Sequence, residues 1–220
     1  SPLFNMMAYL QNIIPGGDLG LTIIVLTVII RAFFAPLSLK TIASQKSLKE
    51  LAPKIEEVKA RFKNDKAAQS AAVFKLYKEN NVNPLAGCLP LVIQLPILIA
   101  LYQVFSKGIN GESLSYLYSF ISRPEIINHN FLGLFDVTKN SRILTVIAGG
   151  LQFIQSKQSA ALQTDPGVNK ELAAMSKQML YFFPVMIIII GWNLPAGLIL
   201  YWITTTVFSI FEQYWIKRRK

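Results

Sequence analysis

The chain of 220 residues is 52% hydrophobic and only 15% charged, yet its formal net charge is +10. Soluble domains carry roughly 25% charged residues, so this composition argues against a simple soluble enzyme and a disordered chain. The single cysteine and single histidine exclude an internal disulfide and a Cys/His metal site, and an apolar chain with a basic excess is typical of an integral membrane protein.

Residues 1–18 predict an amphipathic helix that lies in the outer membrane interface. Apolar side chains recur at helical spacing from Leu3 to Ile14, and the segment contains no Lys or Arg. The Pro-Gly-Gly sequence that starts at Pro15 is expected to break this helix. Because the segment lacks a basic region, it does not resemble a cleavable signal peptide.

The predicted fold class is an all-α integral membrane protein with five transmembrane helices, a cytoplasmic antiparallel helical hairpin and the outer interfacial helix. A transmembrane helix needs about 20 mostly apolar residues, and five segments satisfy or approach this requirement. They are residues 19–39, 85–107, 143–161, 178–193 and 194–216. Prolines inside several of these spans are tolerated in membrane bundles, where neighbouring helices support the kink.

Residues 40–84 are predicted to fold as the cytoplasmic hairpin. Pro53 is expected to lie in the first turn of its first helix, where proline is tolerated, and Lys66–Glu79 is predicted as its second helix. The hairpin is either a solvated connector or a surface that receives a partner or a substrate before membrane entry. Its first helix carries apolar residues at intervals of 3, 4, 3 and 4, the spacing of a coiled-coil seam: Leu48, Leu51, Ile55, Val58 and Phe62.

The basic residues are distributed between the loops as the positive-inside rule requires. Residues 40–83 contain ten Lys or Arg and residues 217–220 contain four, whereas residues 1–18 contain none. This distribution predicts an outer N-terminus, an extracytoplasmic loop at 108–142, a cytoplasmic loop at 162–177 and a basic cytoplasmic tail at the C-terminus.

Arg31 lies inside an apolar span, eight residues before the end of that span at Leu39. A charge at that depth is costly unless it meets water or a partner. One interpretation is that the side chain snorkels to the cytoplasmic interface; the other is that it faces a hydrophilic cavity open to the cytoplasm and closed outside. This span and other spans also carry polar or amphipathic side chains. Hydrogen bonding between helices would explain any one of them, but all of them together with Arg31 favour the cavity. The whole set is Thr27, Gln94, Gln152, Trp202, Thr206 and Ser209.

Four motifs resemble, in the right order, those of a known membrane protein family. Ile23–Pro36 is similar to the family's first core span with its single arginine, and Val82–Pro96 is similar to the entry of the second span. Phe182–Val185 and Pro195–Trp202 are similar to the last two spans. The family is that of the YidC/Oxa1/Alb3 membrane protein insertases, and the resemblance is closest to its bacterial members.

The resemblance implies a five-helix core with a hydrophilic groove in the inner leaflet. Thr27, Arg31 and Gln94 match groove residues of the family, and Trp202 matches an aromatic position that contacts substrate. The implied function is to insert and fold nascent membrane proteins in the bacterial cell membrane, with no cofactor and no enzymatic activity. The implied partners are nascent membrane proteins, the ribosome, the lipid bilayer and, optionally, the Sec translocon, with no specific DNA binding.

Two other functions stay open at this stage. A small-solute or anion transporter would use Arg31 to bind an anion, although the sequence shows no inverted repeat and no polar lining in the outer halves of the spans. An assembly scaffold would use its basic hairpin only to recruit ribosomes or anionic lipid. Solute flux in purified proteoliposomes without a nascent chain would favour the transporter.

Overall fold

The computed structural model describes residues 2–83, 89–107, 117–119, 121–124, 126–163 and 170–218. These residues form seven α-helices: α1 (Pro2–Ile13), α2 (Leu19–Arg61), α3 (Lys66–Glu79), α4 (Leu89–Lys107), α5 (Arg142–Gln163), α6 (Lys170–Gly191) and α7 (Ala196–Arg218). Two short strands, β1 (Asn130–Phe131) and β2 (Phe135–Asp136), pair antiparallel. The prediction of a mainly helical chain is confirmed, whereas the small sheet has no counterpart in the all-α prediction.

Helix α1 ends where the sequence predicts, because a 3-10 turn at Pro15–Gly17 follows it. Gly16 adopts a φ of 70°, a left-handed conformation that is accessible to glycine at little cost. Asp18 then caps the N-terminus of α2, since its Oδ1 accepts a 2.9 Å hydrogen bond from the Leu21 N–H. Met7 is buried in the main apolar cluster, so α1 packs onto the other helices.

Helix α2 runs unbroken for 43 residues, through Pro36 and Pro53. The expectation that Pro53 begins a separate hairpin helix is therefore wrong. A proline removes one backbone donor from a helix, and the hydrogen bonds on both sides of it can keep a long helix continuous. No change of secondary structure marks the predicted boundary between residues 19–39 and residues 40–84.

Helix α3 folds back onto the last turns of α2. Asp65 caps α3 by accepting a 2.9 Å hydrogen bond from the Ala68 N–H, and Gln69 Nε2 donates to the Lys59 carbonyl at 2.8 Å. No residue of α3 is buried, so the helix makes only shallow contacts. Of the residues of the predicted seam, Leu51 and Ile55 are buried, and Leu48, Val58 and Phe62 are half-buried.

Helices α2 and α7 pack side by side and run parallel. Arg31 of α2 contacts Ser209 of α7, and seven residues later Ser38 contacts Glu212. Because the contacts follow the same order along both helices, the two N-termini lie at one end of the bundle. The direction matters for the site, since polar side chains line this interface over more than two turns.

Helices α5 and α6 form a close antiparallel pair. Thr145, near the start of α5, donates through Oγ1 to the carbonyl of Gly191, the last residue of α6, at 3.1 Å. One turn further along α5, Gly149 lies against Ile188, and a Cβ atom placed at Gly149 would come within 2.6 Å of Ile188 Cγ1. Glycine at this position therefore sets how closely the two helices approach.

The segment 126–141 covers the end of the bundle at which α2 and α7 begin. Asp18 Oδ2 accepts a 2.7 Å hydrogen bond from the Leu132 N–H, and the Gly197 N–H donates to the Val137 carbonyl at 2.8 Å. Val137 is fully buried in the apolar cluster that also contains α1 side chains. These contacts close this end of the bundle with backbone hydrogen bonds and apolar packing.

Among the described residues, α2 alone has both the length and the hydropathy of a membrane-spanning helix, with an 18-residue window of mean hydropathy 2.2. Shorter apolar segments lie at Gln94–Gln103 in α4 and Leu180–Gly191 in α6. Helix α6 begins at Lys170, so the prediction of a loop over all of 162–177 is wrong. The sequence after Lys170 is rich in good helix formers, which extend the helix beyond its apolar part.

Candidate functional site

Arg31 is half-buried between α2 and α7. Its Nη2 donates to the Thr205 carbonyl at 2.9 Å and also to the Ser209 hydroxyl. The guanidinium carbon lies 5.8 Å from the centroid of the Phe208 ring, within the range of a cation–π contact. Nε has no hydrogen-bond partner in the described part of the chain. Because a guanidinium presents five N–H donors, α7 engages only part of the group.

A pocket lies beside Arg31, between α2, α4 and α7. Three of the predicted groove residues, Thr27, Arg31 and Gln94, come together in its wall. Thr27 is buried, and its hydroxyl donates to the Ile23 carbonyl at 2.6 Å. The other polar lining residues are Ser38, Thr41, Tyr201 and Thr205, and the apolar ones are Ile30, Phe34, Leu37 and Ile97.

The remaining predicted groove residues lie around or away from this pocket. Ser209 contacts the arginine directly, whereas Thr206 is buried outside the pocket lining. Trp202 packs against an apolar cluster formed by α5, α6 and α7. Gln152 Nε2 donates at 2.6 Å to Gln155 Oε1 on its own helix. The structure therefore brings the residues of α2, α4 and the Ser209 side of α7 together, and leaves Gln152 and Trp202 apart from them.

Polar groups that the sequence analysis did not single out complete the site. Ser38 follows Arg31 by seven residues, or about two helical turns, and this spacing could have revealed that they share a face. Thr205 contributes a backbone carbonyl, and a pattern of side chains in the sequence cannot predict such a contact. Ser38 donates to Glu212 Oε2 at 2.8 Å, so a buried carboxylate also belongs to this interface.

Polar and apolar side chains are mixed in the wall of the pocket. Towards the end at which α2 begins, the main apolar cluster lies beyond the pocket, with Leu19, Ile23, Leu26, Leu198 and other side chains. In the opposite direction along α2, Ser38 and Thr41 line the wall. The described residues contain no group of three His, Cys, Asp or Glu side chains that could hold a metal ion. The arrangement of one cation and several neutral hydrogen-bonding groups can bind a polar or anionic segment.

A long apolar helix that carries a half-buried arginine beside a pocket is typical of a helical membrane protein. The model of the family described as 60Kd inner membrane protein matches residues 9–220. A membrane protein insertase YidC of Fusobacterium nucleatum is 34% identical over 203 residues, which cover 92% of this chain and 88% of that protein. The chain therefore belongs to the 60Kd inner membrane protein family.

Other relatives bear the same name and differ in length. The membrane protein insertase YidC of Oceanobacillus iheyensis is 32% identical over 203 residues, covering 90% of this chain and 74% of that protein. That of Legionella pneumophila (strain Corby) is 33% identical over 219 residues, covering 100% of this chain but 35% of its own length. A crystal structure of an active YidC insertase with the first transmembrane domain resolved is 25% identical, with a TM-score of 0.65, over 97% of this chain and 46% of that one.

Proposed function

We propose that this chain is a membrane protein insertase, which inserts and folds nascent membrane proteins in the bacterial cell membrane. The names of its relatives and the likeness to the solved insertase support the proposal. The observation that carries it is the position of Arg31. This cation is half-buried in a long apolar helix, hydrogen-bonds to neutral groups of α7, and faces a pocket.

The groove shortens the polar path that a substrate must take through the bilayer. The polar tail of a nascent segment enters from the cytoplasmic side, past Ser38 and Thr41, and an acidic residue in the tail is attracted to Arg31. The apolar segment then moves from water into lipid, which is favourable by about 25 cal/mol per Å² of apolar surface. Insertion by this route needs no nucleotide and no cofactor.

The proposed topology keeps the five spans, with the N-terminus outside and the C-terminus in the cytoplasm. Two observations support it. The end of the bundle that α1 and segment 126–141 cover is poor in Lys and Arg, whereas the predicted hairpin segment 40–83 contains ten basic residues and residues 217–220 contain four. The parallel course of α2 and α7 is also expected for the first and fifth of five consecutive spans.

The proposed substrate groove consists of Arg31, Thr27 and Gln94, with Ser209 and Thr206 supporting it from α7. We retain Gln152 and Trp202 as candidates for contacts with a substrate outside the pocket. The hairpin, with its seam from Leu48 to Phe62, is proposed to receive the nascent chain or the ribosome at the cytoplasmic surface. The lipid bilayer and the Sec translocon complete the proposed set of partners.

A photo-crosslinking amino acid at position 94 tests the groove. We expect it to crosslink the acidic tail of a ribosome-bound nascent membrane protein, because Gln94 lines the pocket beside Arg31. Position 99 on the same helix is a matched control, since Ile99 is 54% exposed and does not line the pocket. The crosslinked tail residues are mapped by mass spectrometry. Equal yields from positions 94 and 99 would contradict a groove at this place.

The insertase function itself is tested by complementation. A host whose own insertase is depleted should insert a membrane protein with a short extracytoplasmic tail when this chain is expressed. Protease protection of the tail measures insertion, and a chain that reaches the membrane in normal amounts without restoring insertion would argue against the proposed function.

A further inference from the structure

Glu212 is a buried carboxylate that the groove described so far does not use. The residue is 7% exposed, and its Oε2 accepts the 2.8 Å hydrogen bond from the Ser38 hydroxyl. Its second oxygen, Oε1, has no hydrogen-bond partner within the described part of the chain. Burying a carboxylate is costly unless its charge is compensated. The compensating charge should therefore lie nearby.

Arg31 is a positively charged side chain of the same α2–α7 interface. On α7, Glu212 follows Ser209 by three residues, so it lies on the same face and about 4.5 Å further along the helix axis. On α2, Ser38 follows Arg31 by about two turns, so these two residues share one face of the helix. The Arg31–Ser209 and Ser38–Glu212 contacts therefore lie one after the other along the α2–α7 interface. Arg31 and Glu212 thus lie at the same interface, but the two groups form no ion pair within 4.0 Å.

This separation distinguishes the pair from a closed salt bridge. A direct salt bridge would occupy the guanidinium and remove it from substrate binding. Here Arg31 donates to neutral oxygens of α7 instead, while Glu212 is held by Ser38, which also lines the pocket. The carboxylate therefore reduces the positive potential in the pocket without blocking the donors of the arginine.

We propose that Glu212 determines the charge preference of the groove, by offsetting the charge of Arg31 at the cytoplasmic side of the pocket. An acidic residue of a substrate tail is attracted by Arg31 and repelled by Glu212, and a basic residue experiences the opposite. The groove of this chain thus accepts tails that carry basic or mixed charges, and selects less strongly for acidic tails than a groove with the arginine alone. The inference rests on the proposed role of Arg31 in the groove.

The test is a competition between two substrates in one reaction. The full chain is reconstituted in vesicles of phosphatidylethanolamine and phosphatidylglycerol. Two otherwise identical single-span substrates then compete, one with Asp and one with Lys at the same position of the tail. The ratio of inserted Asp-tailed to Lys-tailed substrate is measured by protease protection. Because both substrates meet the same protein sample, the ratio does not depend on how much of a variant is folded.

Glu212→Gln is expected to raise this ratio by on the order of three- to tenfold, because it removes one negative charge that is hydrogen-bonded to Ser38 of the pocket wall, in a medium of low dielectric constant. Glutamine keeps the size of the side chain and an oxygen that can accept from Ser38.

Asp136→Asn is the matched control for the loss of one negative charge elsewhere. Asp136 lies in the segment at the opposite end of the bundle, and hydrogen bonds from the Thr138 hydroxyl and N–H lower the pKa of its carboxyl. The carboxylate of Asp136 is therefore charged at neutral pH. Because Asp136 does not line the pocket, removing its charge should leave the ratio of inserted substrates unchanged.

The outcomes separate this inference from the function on which it rests. If Glu212→Gln lowers the insertion of both substrates equally, the residue only joins α2 to α7, and the inference is overturned. If Glu212→Gln leaves the ratio unchanged while Arg31→Gln lowers it, the inference fails and the groove stands. If neither substitution alters the ratio, both the inference and the proposed role of Arg31 are overturned.

Discussion

Replacing Arg31 with alanine is expected to reduce the insertion of acidic-tailed substrates by about ten- to a hundredfold. A hydrogen bond to a charged group contributes about 1.5–3 kcal/mol, and each 1.4 kcal/mol corresponds to about a factor of ten. The structure places the guanidinium in the pocket wall and shows only its Nη2 donating to α7, so the substrate loses this interaction in the variant. Protease protection of the substrate tail in reconstituted vesicles measures the effect.

Two comparisons isolate the charge from the packing of the side chain. Arg31→Lys keeps the charge but not the planar group that contacts both the Thr205 carbonyl and Ser209, so an intermediate activity is expected. A substrate with a neutral tail should lose less than an acidic one in the alanine variant. Full insertion of an acidic-tailed substrate by Arg31→Ala would show that the charge is not needed for that substrate.

The sequence predicted those features that depend on local chemistry. The end of α1 followed from a Pro-Gly-Gly turn, and the presence of a charge inside an apolar helix could be read directly at Arg31. The convergence of Thr27 and Gln94 on that charge was also expected, from their residue types and the resemblance to a family. Periodicity and residue type carry this kind of information because neither requires knowledge of how distant segments pack.

Features that depend on packing were not predictable. Pro53 lies inside α2, and the helix continues on both sides of it. From the sequence alone, the first turn of a new helix is an equally good position for a proline. The carbonyl of Thr205 accepts a hydrogen bond from Arg31 only because α7 packs parallel to α2 with these two residues at the same height. Ser38 and Glu212 come into contact for the same reason. In the sequence, a polar residue at the end of an apolar span is expected to be exposed, and its burial becomes evident only when its neighbour in the fold is known.

Two adjacent glycines of α5 show most clearly how packing decides the role of a residue, because the sequence does not distinguish them. A Cβ atom at Gly149 would lie 2.6 Å from Ile188 Cγ1, whereas one at Gly150 would meet no described atom within 4 Å. Gly149→Leu is therefore expected to force α5 and α6 apart and to lower the free energy of unfolding by about 2–3 kcal/mol, as overpacked substitutions do. Gly150→Leu is expected to preserve stability or to raise it by up to about 1 kcal/mol, because leucine has the higher helix propensity.

Thermal unfolding of the purified full chain in detergent, followed by circular dichroism, compares the two variants directly. The substitutions are chemically identical and occupy neighbouring positions of one helix, so detergent binding, expression and helix propensity affect both in a similar way. The difference between their unfolding temperatures therefore reports the α5–α6 contact alone. Equal shifts would mean that the two helices separate easily at Gly149. The close approach would then contribute little to holding α6 against α5, and through it the apolar cluster in which Trp202 packs.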